Sequence, residues 1–237
     1  MSSLRTVRAA RAGLAALLAL SGAAIAAPAT AATATSFGTA HHYGNPAHNF
    51  SGDSTWGGYV AQGRNFTSIT GSWTMPQVQC NTYNDLFAPW IGIDGYGSQT
   101  VEQTGVQADC SSGSPVYSAW YEMYPAAPVY FNNAVSAGDS FTASVTSASR
   151  GSYTLKLTDT TKGWTRTTTQ RLSSAQNVSA EAVIESPTQS YPSWDNLSFS
   201  NIRVNGQVFD NYGPMSMDSG PYTETALQNG SFSIIPG

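Results

Sequence analysis

The sequence predicts an all-β fold, most simply an antiparallel two-sheet β-sandwich. Three observations predict it. From Trp56 on, short runs rich in Val, Ile, Thr, Tyr, Phe and Trp alternate with clusters of Gly, Asn, Asp, Ser and Pro. Past the N-terminal segment, no stretch keeps a 3.6-residue apolar period for three turns. There is no internal repeat and no second composition break, so one pair of sheets over residues 55–237 is the simplest arrangement.

The elements follow in order. Arg5, Arg8 and Arg11 precede the apolar run AGLAALLALSGAAIAA and then small residues, the pattern of a secretory signal peptide over 1–31. Its apolar run is shorter than the roughly 20 residues of a membrane span, and Ala29-Thr30-Ala31 is the favoured cleavage site. Residues 32–54 lack apolar runs, hold all three histidines (His41, His42, His48) and read as a flexible leader or short prosegment. Strands are then expected in NFTSITGSWTMP, APWIGIDG, VEQTGVQADC, SPVYSAWYEMYP, DSFTASVTS, GSYTLKLTD, GWTRTTTQR, SAEAVIESP, LSFSNIRVNG and SFSIIPG. Cys80 and Cys110, an even pair in an exported chain, are expected to form one disulfide.

Alternation assigns side chains to faces. Ile91 and Ile93 point one way, Trp90 and Asp94 the other. Ala182 and Ile184 lie opposite Glu181 and Glu185. Trp120 shares a face with Glu122, and Gln103 lies beside Val101, away from Glu102. Several strands thus pair an apolar face with one bearing Trp, carboxylate or amide groups. If these second faces converge, they line a groove with an aromatic floor.

Composition excludes much. Beyond the signal stand seven basic and fourteen acidic residues, a net charge of −7, which lacks the basic footprint of a nucleic-acid or anionic-lipid partner. After signal removal no membrane association is expected, and a monomer is. No histidine follows His48, so Ser-His-Asp and Cys-His mechanisms lack their base. The GYGSQ around Ser98 is no nucleophile elbow. With the cysteines paired, no zinc ligand set remains, and no metal or other cofactor is expected. Carboxylate chemistry is left. A carboxylate can be a base where histidine would be a cation, and a side-chain amide can stabilise an oxyanion without titrating.

TWGGYV at 55–60, PWIGIDG at 89–95, VEQTGV at 101–106, YSAWYEMYP at 117–125 and SAEAVIE at 179–185 stand in the order and approximate spacing of the glutamic peptidases, the eqolisin family, which this chain resembles over residues 55–235. The resemblance implies a concanavalin-like jelly-roll sandwich and a secreted endopeptidase that cleaves proteins and peptides at acid pH. It also implies Gln103 and Glu181 as the catalytic dyad, with Trp56, Trp90, Asp94, Trp120 and Glu122 at the substrate cleft and its hydrogen-bond support. This chain departs from the family pattern at Ala182, where Trp is usual, and at Glu102, Ser118 and Met123, where fungal members carry an aliphatic residue, Asp and Trp.

For Glu181 to act as a base near pH 4, burial must not raise its pKa far, so some exposure or hydrogen bonding of its carboxyl is expected. Glu102 and Glu185 are expected to be solvated or structural, Glu185 lying about 13 Å along the strand from Glu181. Two other readings of the sandwich stay open: a carbohydrate-binding module using exposed aromatic rings, and a glycoside hydrolase using Glu122 and Glu181, which must then stand about 5 to 9.5 Å apart.

Overall fold

The computed structural model describes residues 56–149, 151–217 and 219–237. The expected signal peptide (1–31) and leader (32–54), with all three histidines, lie outside the described residues.

Along the chain run β1 (Trp56–Gln62), β2 (Ser68–Thr74), β3 (Leu86–Asp94), β4 (Val101–Asp109) and β5 (Val116–Tyr124). Then come β6 (Val129–Tyr130), β7 (Ser140–Ser149), β8 (Ser152–Asp159), β9 (Trp164–Arg171) and β10 (Ser179–Glu185). The last are β11 (Leu197–Val204), β12 (Gln207–Val208), a 3-10 turn at Phe209–Tyr212, β13 (Met215–Met217), β14 (Tyr222–Glu224) and β15 (Phe232–Pro236). Each of the ten runs expected to be a strand contains one. The short β6, β12, β13 and β14 carry too few residues for alternation to show in the sequence.

Two antiparallel sheets form, with strand orders β13-β1-β10-β3-β4-β5-β6 and β14-β15-β11-β2-β7-β8-β9; β12 is a flap on β11. Their inner faces close one apolar core. Ile91, Ile93, Val106, Ala180, Ala182 and Ile184 come from the first sheet, and Ile69, Trp73, Phe141, Val145, Leu155 and Phe199 from the second. Ala182 thus packs into this core, so the departure noted at this position bears on packing between the sheets.

The outward faces differ. On the second sheet the outer face is Ser and Thr in cross-strand pairs, such as Ser72–Thr142 at 3.0 Å, Thr158–Thr165 at 3.0 Å and Thr154–Thr169 at 3.2 Å. On the first sheet, β10 and β3 are buried throughout, and β4 all but its last residue. Its outer face carries a second cluster of Trp56, Val60, Trp90, Val101, Trp120, Val183 and Met217, flanked by Tyr96, Tyr124 and Tyr130. The aromatic face read from alternation therefore exists, but these rings are packed together rather than lining an open groove. Trp56 and Trp90 meet edge to face, with centroids 4.8 Å apart.

Cys80, in the loop after β2, is bonded to Cys110 at the end of β4, closing a loop of 30 residues in sequence separation. Replacing both cysteines by serine is expected to lower unfolding free energy by about 3 to 4 kcal/mol, the loop-closure value for that length. Urea denaturation of the double variant checks this; an unshifted midpoint would show the staple to be dispensable.

Candidate active site

Register places the site. In the first sheet, Glu181 on β10 pairs with Gly92 on β3, Gly92 with Gln103 on β4, and Gln103 with Glu122 on β5. Cross-strand partners share a face, so Glu181, Gln103 and Glu122 project together from the outer face in one row. Gly92 is the gap in that row. With strands about 4.8 Å apart, the Cα atoms of Glu181 and Gln103 stand about 9.5 Å apart, and the edge of the Trp90 ring reaches over the glycine between them, its Cζ3 2.8 Å from where a Cβ would sit. The next row holds Val183, Trp90, Gly105 and Trp120. Gly105 admits Trp90: a Cβ there would lie 2.5 Å from the Pro89 carbonyl oxygen and 2.6 Å from Trp90 Cβ.

Gln103 is buried, and its Nε2 is placed 2.6 Å from Glu122 Oε2. Trp90 Nε1 donates to Glu185 Oε2 at 3.0 Å. Burial, and then the charge of Glu185, push the Glu122 carboxyl up to about 8, with the Gln103 contact pulling it back. Glu185 is thus a buried member of this face rather than a solvated residue. The signal was in the sequence, since Glu185 has the parity of Glu181, but its long reach over the aromatic cluster was not.

Glu181 is 0% exposed, and neither of its carboxyl oxygens makes a hydrogen bond. The expected exposure is absent. Desolvation raises its pKa well above the usual range; the Ser179 hydroxyl and the Tyr96 backbone near the carboxyl pull it back, while the charges of Asp94 and Glu102 push further. Tyr96, whose backbone comes near that carboxyl from the turn after β3, bears no sequence motif that would have revealed it.

Asp94 shares the parity of Trp90 but lies beneath the site instead of lining it. Its Oδ2 accepts from the backbone N–H groups of Gln176 (2.8 Å) and Asn177 (3.0 Å), and its Oδ1 from that of Val178 (2.8 Å). It sits at φ +67°, a left-handed turn that Asp tolerates better than most residues. The carboxylate therefore ties the β3–β4 turn to the segment that feeds β10. Asp94→Ala is expected to cost at least about 3 kcal/mol, because buried N–H groups lose their acceptor. Thermal unfolding checks it; a midpoint equal to wild type would mean that water replaces the knot.

Glu102 points into the core and is fully buried, not solvated. Burial, and next the charge of Asp94, raise it to about 9. Facing it from the second sheet, Tyr153 is pushed up by burial and then by the charges of Glu102 and Asp94. Its hydroxyl donates to Asn177 Oδ1 at 2.9 Å.

Comparison with known proteins bears on the fold and the family. Aspergillopepsin-2 of Aspergillus niger is 32% identical over 137 residues, 48% of this chain and 49% of that protein. Scytalidopepsin B of Scytalidium lignicola is 34% identical over 113 residues, 47% of this chain and 42% of that protein. The chain thus spans about half the length of the curated relatives it matches. Scytalido-glutamic peptidase, solved with a transition state analog inhibitor, shares the fold at TM-score 0.69, with 23% identity over 78% of this chain and 99% of that one. Residues 54–233 match the Peptidase A4 family, more than half of the sequence, so the chain belongs to that family, the eqolisins.

Proposed function

We propose that this protein is a secreted endopeptidase that hydrolyses peptide bonds of proteins at acid pH through Gln103 and Glu181. The row carries the reading: a carboxyl and an amide project from one face with only a glycine between them in the row. About 9.5 Å between their Cα atoms leaves room for a peptide carbonyl and one water.

Water that enters with the substrate hydrates the Glu181 carboxyl, offsets the desolvation that raises its pKa and carries its proton away to solvent, so the ionised form arises where it is needed. Glu181 then takes a proton from that water, whose oxygen attacks the scissile carbonyl carbon. The Gln103 NH2 group donates to the oxyanion that forms. Glu181 returns the proton to the leaving nitrogen as the C–N bond breaks, giving a carboxylic acid and an amine. No covalent enzyme intermediate is formed. Trp56, Trp90 and Trp120 form the floor under the substrate, and the segment 1–31 directs export.

The test is cleavage of denatured protein at about pH 3–5, resistant to pepstatin, chelators and serine or cysteine reagents. Glu181→Gln is expected to abolish it with the fold intact; substantial residual activity would remove Glu181 from the chemistry. Gln103→Ala is expected to lower kcat by about 100-fold or more while KM changes little, and an unchanged kcat would remove the oxyanion role. The glycoside hydrolase alternative is not favoured, since the chain belongs to the Peptidase A4 family.

A further inference from the structure

The contact between Gln103 and Glu122 is 2.6 Å long. That is short for an amide N–H on an oxygen, usually about 2.7–3.2 Å, and ordinary for an O–H donated to an oxygen. A glutamine amide has nearly the same shape with its nitrogen and oxygen exchanged. The same contact therefore fits the acid O–H of Glu122 donating to the Gln103 carbonyl oxygen. The other terminal atom of the amide is buried and has no hydrogen-bond partner. Which atom that is matters. An oxygen there repels an oxyanion, and an NH2 group stabilises it.

We infer that Glu122 is a positioning residue: as a neutral acid it donates its O–H to Gln103 Oε1 and turns the Gln103 NH2 group away from itself, toward the Glu181 side of the row, and its ionisation reverses the amide. Ionised Glu122 is an acceptor only, so the amide must then present its NH2 to Glu122 and its oxygen to the reaction space. The amide itself does not titrate, yet its usefulness does. The inference rests on the dyad reading above and adds to it the group that fixes which way the dyad amide faces.

The surroundings of Glu122 favour the neutral form. Titratable groups on this face are Glu181 and Glu185 from β10, Tyr124 beside it on β5, Tyr130 from β6 and Tyr96 from the turn after β3. All are acids. None of the described lysines and arginines stands on a strand of this sheet. With no cation on those strands to stabilise a carboxylate, burial and the Glu185 charge hold the proton on Glu122 up to about 8.

The experiment compares kcat from about pH 3 to about pH 9 for wild type, Glu122→Gln and Glu122→Leu. Rates are taken only where near-ultraviolet circular dichroism shows the fold intact. Wild type is expected to lose turnover on the alkaline side as one group ionises. Glu122→Gln should keep at least about a tenth of the wild-type kcat and lose that alkaline limb, because its own N–H can meet Gln103 Oε1 at every pH. Glu122→Leu should lose about 100-fold in kcat at all pH values, the worth of one oxyanion donor, with KM altered only a few-fold. An alkaline limb in Glu122→Gln at the wild-type position, or wild-type turnover in Glu122→Leu, overturns the inference. Failure of the dyad reading registers separately, as activity surviving in Glu181→Gln.

Discussion

Raising the pH from about 5 to about 8 is expected to strip most of the stability from this protein. Glu102 keeps its proton in the folded chain up to about 9, through burial and then the charge of Asp94, whereas an unhindered glutamate ionises near 4.5. Glu122 does the same up to about 8. Between those values the unfolded chain has released protons that the folded chain retains. Each group then removes about 1.4 kcal/mol per pH unit. Two groups together remove about 3 kcal/mol per unit, against a total of about 5–15 kcal/mol for an ordinary domain. The contribution is fully present below the unfolded value and is lost as pH climbs through the folded ones. Glu181, raised in the same direction, adds to the slope.

Asp85 sets the opposite limit. Burial pushes its carboxyl up, but hydrogen bonds from Ser190 and Thr82 and from the Thr82 and Asn81 N–H groups outweigh that, so its pKa is lowered. Its contribution is present above the ordinary aspartate value and disappears as pH falls through the folded one. Maximum stability is therefore expected in weak acid. Urea midpoints at successive pH values measure the slope, and Glu102→Gln should flatten it by about 1.4 kcal/mol per unit. A midpoint that stays level from about pH 5 to about pH 8 contradicts the account.

Filling the gap in the row is expected to cost more activity than any other substitution outside the dyad. A Cβ at Gly92 would lie 2.8 Å from Trp90 Cζ3, 3.1 Å from Gln103 Cβ and 3.2 Å from the Glu102 carbonyl oxygen. Gly92→Val adds two more methyl groups in the same place. Trp90 cannot retreat cheaply: it is fully buried, packed edge-on against Trp56 and hydrogen-bonded to Glu185. Overpacking of this kind costs about 1–3 kcal/mol of stability. It also occupies the space proposed for water and shifts Gln103, and a shift near 1 Å is worth about 100-fold in rate. A fall in kcat of at least about 100-fold, with circular dichroism unchanged, is the expected result. Near-wild-type turnover in a folded Gly92→Val protein would show that no reacting atom passes between Glu181 and Gln103.

Period-two alternation was enough to place Gln103, Glu181, Trp90 and Trp120 on one side of their strands and Ile91, Ile93, Ala182 and Ile184 on the other, because the pleat leaves no choice. Which strands adjoin is not a local property. The order β10-β3-β4-β5 brings residues some eighty positions apart into one row, and only that order shows Gly92 to be the gap between them. Burial is equally non-local. Alternation says that Glu102 and Glu185 face away from water or toward it only once the covering layer is known, and here both faces of the central strands are covered. Asp94 shows the same limit: its parity groups it with Trp90, but a left-handed turn sends its carboxylate to the N–H groups of another segment.

The hydroxyl-paired outer face of the second sheet has a consequence for handling the molecule. Across β2, β7, β8, β9 and β11 its exposed charged residues are the bases Lys156, Arg171 and Arg203. Glu102, Glu122 and Glu181, the carboxyls whose pKa is raised, stand on strands of the other sheet. Attachment to a solid support through Lys156 would hold the protein by the face opposite those carboxyls and leave their sheet facing the solution.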